Sequence, residues 1–341
     1  MIVLYFRSSS YNQYDYCEMS YFLTYNLGWQ QPTSRKANLG TITHKVLECL
    51  AQCKQRLQYG EKRSMKIDDG ELGEIKFTKK QLYSSDFVKT LTDMSYDYYT
   101  TNDPGNQYDR KADYKFCSEM VEAAISHNKG QFDPRNRNVI SPEPHFDIPI
   151  MEPWAQFDFE GQPVRLAIKG TIDLVTEVDS DTIEVIDWKT GQRKDWATGE
   201  IKDYAKLEKD AQLLLYHYAV LKLFPTYKQA IMSIFFLRDG GPFSLCFDSS
   251  DKTRFLGNLK DRFYEIRKNQ LPKPINHWRS DFRCKRLCHF YKTNWPGTDK
   301  PMCNYVEDHI KLYGIDKTQI TLKNPNFTLG HYSAPGSIEN R

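Results

Sequence analysis

The stretch "GTIDLVTEVDSDTIEVIDWKTG", residues 170–191, decides how the chain is read. Two runs rich in Ile, Val and Thr flank "DSD", the pattern of two strands joined by a tight turn. Asp173, Asp187 and Lys189 interrupt those apolar runs. Charges in such places are costly unless they are paired or hold a cation. With the turn centred on Ser180, residues whose numbers sum to 360 face each other, so Asp173 lies opposite Asp187. Cross-strand Cβ atoms are then ~4.5–5.5 Å apart, where like charges repel. The same spacing lets two carboxylates share one hard cation. Lys189, two residues past Asp187, points to the same face because strand side chains alternate. Ile172, Leu174, Val185, Ile186 and Trp188 imply that both faces of the hairpin are covered, which argues against a surface salt bridge. The chemistry that suits two carboxylates and a lysine is metal-assisted phosphodiester hydrolysis, with the lysine acting on the attacking water.

Working outward, the chain has 341 residues, 40% hydrophobic and 27% charged, which excludes a disordered chain and allows one large domain or two lobes. The formal net charge of +3 neither demands nor excludes nucleic acid. The opening "MIVLYFRSSS" has too short an apolar run for a secretory signal, and no later run approaches a membrane span. A cytoplasmic protein with no membrane partner is expected, and its eight Cys point to thiols or metal ligands rather than disulfides.

Helical periodicity appears from about Ser10 and again in "ANLGTITHKVLECLAQCKQRL", where Ile42, Val46, Leu47 and Leu50 share a face. Residues 60–140 read as a mainly helical insert lobe, opened by a charged loop, "EKRSMKIDDGELGE". Strand patterns follow: "HFDIPI", "AQFDF", "VRLAIKGTIDLVTEV" and "TIEVIDWKT". A long helix over 205–224, the strand "AIMSIFFL" and an amphipathic helix in "TRFLGNLKDRFYEIRK" complete the regular elements. The order predicts an α/β domain with helices about a mixed sheet. Its expected parts are N-terminal helices at 1–59, the insert at 60–140, the core at 141–270 and a Cys-rich segment at 271–341.

"GTIDL" followed by "IDWKTG" resembles the centre of the PD-(D/E)xK nuclease superfamily in its RecB-like exonuclease branch. Gln212 and Tyr216 in "DAQLLLYHYAV" stand at i and i+4, about two dozen residues on, and are similar to that branch's Q-x-x-x-Y element. Gly40 and His44 in "GTITH" match its G-x-x-x-H helix, and Glu143 in "SPEP" resembles an acidic residue that precedes the hairpin. The resemblance implies a restriction-endonuclease-like core. It also implies Mg²⁺ or Mn²⁺ held by Asp173, Asp187 and His44, with the Trp188 backbone carbonyl as a further ligand. In that scheme Lys189 is catalytic, and Gln212 and Tyr216 position the DNA strand or the active-site residues. Arg193 and Lys194, just after the active strand, are candidates to meet phosphates.

Cys17 near the start, with Cys284, Cys288 and Cys303 near the end, resembles the iron–sulfur variant of the branch, found among CRISPR-associated members and bacterial recombination nucleases. There one N-terminal and three C-terminal thiolates bind a [4Fe-4S] cluster that staples the chain ends. The Cys284-x₃-Cys288 spacing and the long loop to Cys303 leave Zn²⁺ as an alternative, with His289 able to replace one thiolate. Cys49, Cys53, Cys117 and Cys246 read as ordinary buried or half-buried thiols. The expectation is a metal-dependent deoxyribonuclease, an exonuclease acting on DNA ends or single strands in recombination, repair or replication. A catalytically inactive nucleic-acid-binding or scaffold protein on the same fold is the alternative.

Overall fold

The hairpin forms, and it is shorter than its sequence pattern. In the computed structural model of the chain, which describes residues 1–60, 62–194, 199–239, 241–275 and 282–327, Leu174–Glu177 pairs antiparallel with Thr182–Lys189. All four paired rows, Ile183 with Glu177 through Ile186 with Leu174, follow the sum of 360. The expected run "VRLAIKGTIDLVTEV" is not one strand. It breaks into Gln162–Arg165, Ala167–Thr171 and Leu174–Glu177, and Asp173 sits in the bend before the last of them. That bend takes Asp173 out of the ladder and frees its carboxylate to turn toward the end of the partner strand.

The chain divides into two compact units, each assembled from discontinuous segments: residues 1–32, 146–170 and 252–341 in one, 33–145 and 171–251 in the other. The second unit carries the hairpin, and its elements are labelled here in chain order. They are α1 (Arg35–Gln58), β1 (Met65–Asp69), β2 (Gly73–Phe77), α2 (Ser85–Thr101) and α3 (Arg110–Ser126). There follow β3 (Asn138–Pro142), β4 (Leu174–Glu177), β5 (Thr182–Lys189), α4 (Ala211–Leu223), β6 (Gln229–Phe236) and β7 (Gly241–Cys246). The five-stranded sheet has the order β7-β6-β5-β4-β3. β5 and β6 are parallel, and α4 supplies the crossover that parallel neighbours require. The other pairs are antiparallel, which makes the sheet mixed.

α1 lies on one sheet face, where Val46, Leu47 and Leu50 pack in one cluster with Ile186, Trp188 and Phe235. Each such side chain contributes about 1.5–3 kcal/mol on burial. Two glutamines on the same helix register it against the edge strand. Gln55 Nε2 donates to Ile140 O at 2.6 Å, and Gln58 bonds both Val139 N and Val139 O, at 2.8 and 2.9 Å.

Residues 60–140 are not wholly helical. "MKIDDGELGEIKF", part of which was expected to be a charged loop, forms the β1–β2 hairpin. Met65, Ile75 and Phe77 are buried in the same cluster as α1, while Asp69 Oδ1 accepts from Glu71 N and Leu72 N and so closes the turn. The charges that suggest a loop belong to the outward face. The helix expected over 205–224 is likewise broken: Tyr204–Leu207 forms a separate short turn, and Asp210 caps α4 through Gln212 N at 2.9 Å.

The first unit holds a three-stranded sheet with Ala167–Thr171 between Tyr5–Phe6 and His145–Pro149. Short helices carry its cysteines: Ser8–Tyr16 and Glu18–Tyr21 flank Cys17, and Met302–Tyr313 includes Cys303. Among the described residues no helix is long and apolar enough to cross a membrane.

Candidate active site

Asp187, near the end of β5, is 1% exposed; its neighbours Ile186 and Trp188 pack with α1, so it faces the opposite way, toward Gln212 on α4. Its Oδ1 accepts a hydrogen bond from Gln212 Nε2 at 3.1 Å, the first side chain of the i, i+4 pair on α4. Lys189 Nζ lies 2.6 Å from Oδ2. That oxygen is buried, and the Lys189 ammonium is its partner. Tyr216, one turn along α4, hydrogen-bonds the Gln212 amide and is buried against the same charges.

Asp173 faces this group from the bend. Its Oδ2 accepts from Trp188 N at 2.9 Å and lies 3.2 Å from His44 Nδ1. The peptide bond of Glu143 supports it from behind, donating from N to Asp173 O at 3.0 Å. His44 reaches the bend because α1 crosses close to the end of β5. A Cβ on Gly40 would lie 2.8 Å from Thr190 Oγ1, which explains a glycine inside a helix, where it costs about 1 kcal/mol.

The charges are coupled. Burial, against the pull of Lys189, pushes Asp187 up to about 6, and Asp173 pushes in the same direction. Burial would raise Asp173 too, but His44 and Lys189 hold it below the usual carboxylate range. His44 and Lys189 are both raised: desolvation opposes their charge, and the two carboxylates outweigh it, Asp173 for His44 and Asp187 ahead of Asp173 for Lys189. A buried carboxylate, Asp187, beside a half-buried one, Asp173, forms a donor set suited to a hard divalent cation. As they stand, the side chains pair with one another, and among the described residues no three His, Cys, Asp or Glu surround a single point.

Sequence reasoning missed two residues here. Glu48, four after His44 and thus on the same face of α1, is buried and hydrogen-bonds the Glu143 side chain. Burial, with Glu143 adding, pushes it up to about 8 despite Lys45 Nζ at 2.7 Å. Lys45 is itself buried and also reaches Asp69 at 3.2 Å and Glu71 at 2.9 Å, tying α1 to the β1–β2 hairpin. The spacing His44-x₃-Glu48 was available in the sequence but is hidden inside an apolar stripe.

The other candidates fall elsewhere. Arg193 places its guanidinium 4.9 Å from the Phe243 ring centre, and Lys194 forms an isolated bridge with Ile201. In the first unit, Cys17 Sγ accepts from the backbone amides of Ser20, at 3.4 Å, and Ile275. Burial pushes Cys17 up to about 11, with Cys288 and Cys284 adding to it. Burial likewise pushes Cys303 up to about 12, with Cys288, Cys17 and Cys284 adding. All four thiols therefore share one electrostatic neighbourhood, and none of the eight cysteines is in a disulfide. His289 is occupied by Thr293 Oγ1, 3.3 Å from Nδ1. Cys49, Cys53 and Cys117 are buried as expected, whereas Cys246 is exposed at the end of an edge strand.

Compared with known proteins, the chain matches the sequence model of the PD-(D/E)XK nuclease superfamily over residues 8–305. No curated protein matches it. Among solved structures, a provisionally named exonuclease from Eubacterium rectale aligns at 12% identity and a TM-score of 0.45, covering 87% of this chain and 90% of that one. The structure of SSO0001 aligns at 14% identity and a TM-score of 0.24, covering 72% and 96%.

Proposed function

The chain belongs to the PD-(D/E)XK nuclease superfamily, and from that premise we propose that it is a metal-dependent deoxyribonuclease, an exonuclease working on DNA ends or single strands. The observation that carries the reading is the meeting of Asp173, Asp187 and Lys189 at one buried point, where the lysine pairs with the Asp187 carboxylate. Asp187, Asp173, His44 and the Trp188 carbonyl are the residues that would hold Mg²⁺ or Mn²⁺. The ion, when bound, neutralises the scissile phosphate and lowers the pKa of the attacking water.

The chain's own residues do the rest. Lys189, kept protonated by two carboxylates, is a fixed cation that orients the water and meets charge developing on phosphate oxygens. Gln212 fixes Asp187 through Oδ1, leaving Oδ2 to face the site. Trp188 N fixes Asp173 in the same way, so the backbone and α4 hold both carboxylates toward the site. Tyr216 braces Gln212 and closes the site toward α4.

The second part of the reading is a [4Fe-4S] cluster on Cys17, Cys284, Cys288 and Cys303, with a structural role. Mutual influence among the four thiols and the amides aimed at Cys17 support it, since hydrogen bonds to sulfur tune and stabilise such clusters. Zn²⁺ is the competing occupant, with His289 able to replace one thiolate.

Anaerobically purified protein, incubated with end-labelled linear and circular DNA, single- and double-stranded, tests the reading. Degradation of linear substrates with Mn²⁺, abolished by EDTA, is expected. DNA binding without degradation of any substrate would return the chain to the scaffold alternative. An absorption band near 400 nm, roughly where thiolate-bound iron–sulfur clusters absorb, is expected on the same sample. A colourless, zinc-loaded preparation would overturn the cluster.

A further inference from the structure

Phe243 on β7 pairs in register with Ile234 on β6, which pairs with Asp187 on β5. Residues paired across neighbouring strands point to the same face, so Phe243 stands on the face that carries Asp187 and Lys189. Two strand spacings separate it from Asp187, about 10 Å. Phe236, the register partner of Lys189, bridges the gap, its ring 6.2 Å from that of Phe243.

Two further side chains converge on that ring. Tyr204, 51% exposed, meets it edge-on with centres 4.9 Å apart and planes at 66°. Arg193, four residues beyond Lys189, lays its guanidinium on it at 4.9 Å. The backbone of Arg193 is anchored, because its N–H donates to the Asp239 carboxylate in the turn between β6 and β7. Its Nε is buried and, among the described residues, has no hydrogen-bond partner, a state that costs about 1–3 kcal/mol. An exposed tyrosine alone needs no explanation. A rigidly braced one, beside a guanidinium with an unmet donor and on the catalytic face, is a different matter.

We propose that Tyr204, Phe243 and Arg193 form a subsite for one unpaired nucleotide of the DNA strand, its base stacked on Tyr204 and its phosphate held by Arg193. The proposal rests on the nuclease reading and adds where the strand runs. Phe243 fixes the Tyr204 ring so that stacking costs little side-chain entropy. Arg193 supplies the positive charge that a phosphate requires beside a site built from carboxylates. At about 3.4 Å rise per stacked nucleotide, 10 Å corresponds to about three nucleotides from the scissile phosphate, fewer if the strand is extended. Base stacking on an aromatic is indifferent to sequence, which suits a degradative enzyme.

The test uses the full chain carrying Lys189→Ala and single-stranded oligonucleotides with 2-aminopurine placed at successive positions from one end. Quenching at one position within about three nucleotides of the end is expected. Adding Tyr204→Ala should abolish that quench and weaken binding about tenfold, while Tyr204→Phe keeps both. Arg193→Ala should weaken binding and flatten its salt dependence by about one counterion. Phe243→Leu, which keeps an apolar side chain but removes the ring, should loosen the stack and reduce the quench. Tyr59→Ala, at a tyrosine 76% exposed elsewhere on the unit, serves as the control and should change nothing. Quenching and affinity unchanged by Tyr204→Ala and Phe243→Leu, where the Lys189→Ala chain binds DNA and the wild type cleaves it, would overturn the subsite alone. A wild-type chain that neither binds nor cleaves DNA would overturn the nuclease reading and the subsite together.

Discussion

The carboxylate site and the cysteine site are built by opposite means. Asp187 and Lys189 belong to one eight-residue strand in the middle of a sheet, and backbone pairing alone sets where they point. Cys17 and Cys303 are 286 residues apart, each at the margin of a short helix, and only tertiary folding brings them into one neighbourhood. The first site is preorganised by hydrogen bonds to its carboxylates from Gln212 and Trp188. The second has amides on one sulfur and separate helices that meet around it without a shared sheet, so a bound cluster would itself tie them together. Losing a group from the carboxylate site should therefore cost activity and spare the fold. Losing one from the cysteine site should do the reverse first.

The strongest way to break this contrast is at Lys189. Lys189→Ala should lower the cleavage rate by about 10³-fold or more, with far-UV circular dichroism unchanged. Cys17→Ala should lower Tm by about 5–10 °C and bleach any visible band, with residual cleavage in the molecules that stay folded. Equal losses of stability in both variants would erase the distinction between the sites.

A smaller effect is expected at Gly40, where a methyl group would press on Thr190 Oγ1, 2.8 Å from the added Cβ. Gly40→Ala should move His44 away from Asp173 and slow cleavage about tenfold, more than the favourable helix propensity of alanine would suggest.

The pH dependence of stability sharpens the picture. Asp187 titrates at about 6 in the folded chain against 3.8 as its ordinary value, so the folded form binds its proton more tightly. Without metal, stability should fall as pH rises from about 4 to about 6 through Asp187, and the raised Glu48 and His44 should continue the fall to about 8. Asp173, held below 3.8, loses its stabilising contribution only below this window. Added Mn²⁺ should hence raise Tm little at pH 4.5 and most at pH 7.5, as scanning calorimetry would show. Asp187→Asn should flatten both trends.

The smallest effect belongs to Glu48. Pushed up to about 8, it is protonated at neutral pH, and Glu48→Gln keeps its shape and neutrality. Stability at pH 7 should change by less than about 0.5 kcal/mol, whereas Glu48→Ala should cost more by opening a cavity beside Glu143.

Legibility in the sequence followed the same divide. Asp173, Asp187 and Lys189 were found because strand alternation is a local rule, Gln212 and His44 through the family resemblance, and the structure places them together. The register sum worked because the turn is tight and both strands are buried. The bend at Asp173 was invisible, since β-branched residues run straight through it. The β1–β2 hairpin was hidden because charges fill its outer face, and only packing under α1 selects strand over loop. Glu48 was overlooked because its neighbours are apolar, and the sequence does not announce that Glu143 meets it from another segment. The convergence of Cys17 with the C-terminal cysteines was expected from resemblance, since no local periodicity connects such distant positions.

The central claim, that Asp187 helps hold the ion while Lys189 acts on the reaction, is tested most directly by comparing two variants in one assay. Mn²⁺ binding by calorimetry and single-turnover cleavage of end-labelled DNA should be measured for wild type, Asp187→Asn and Lys189→Ala. The account predicts that Lys189→Ala binds Mn²⁺ at least as tightly as wild type and does not cleave, while Asp187→Asn does neither. Cleavage by Lys189→Ala at the wild-type rate, or undiminished Mn²⁺ binding by Asp187→Asn, would contradict it.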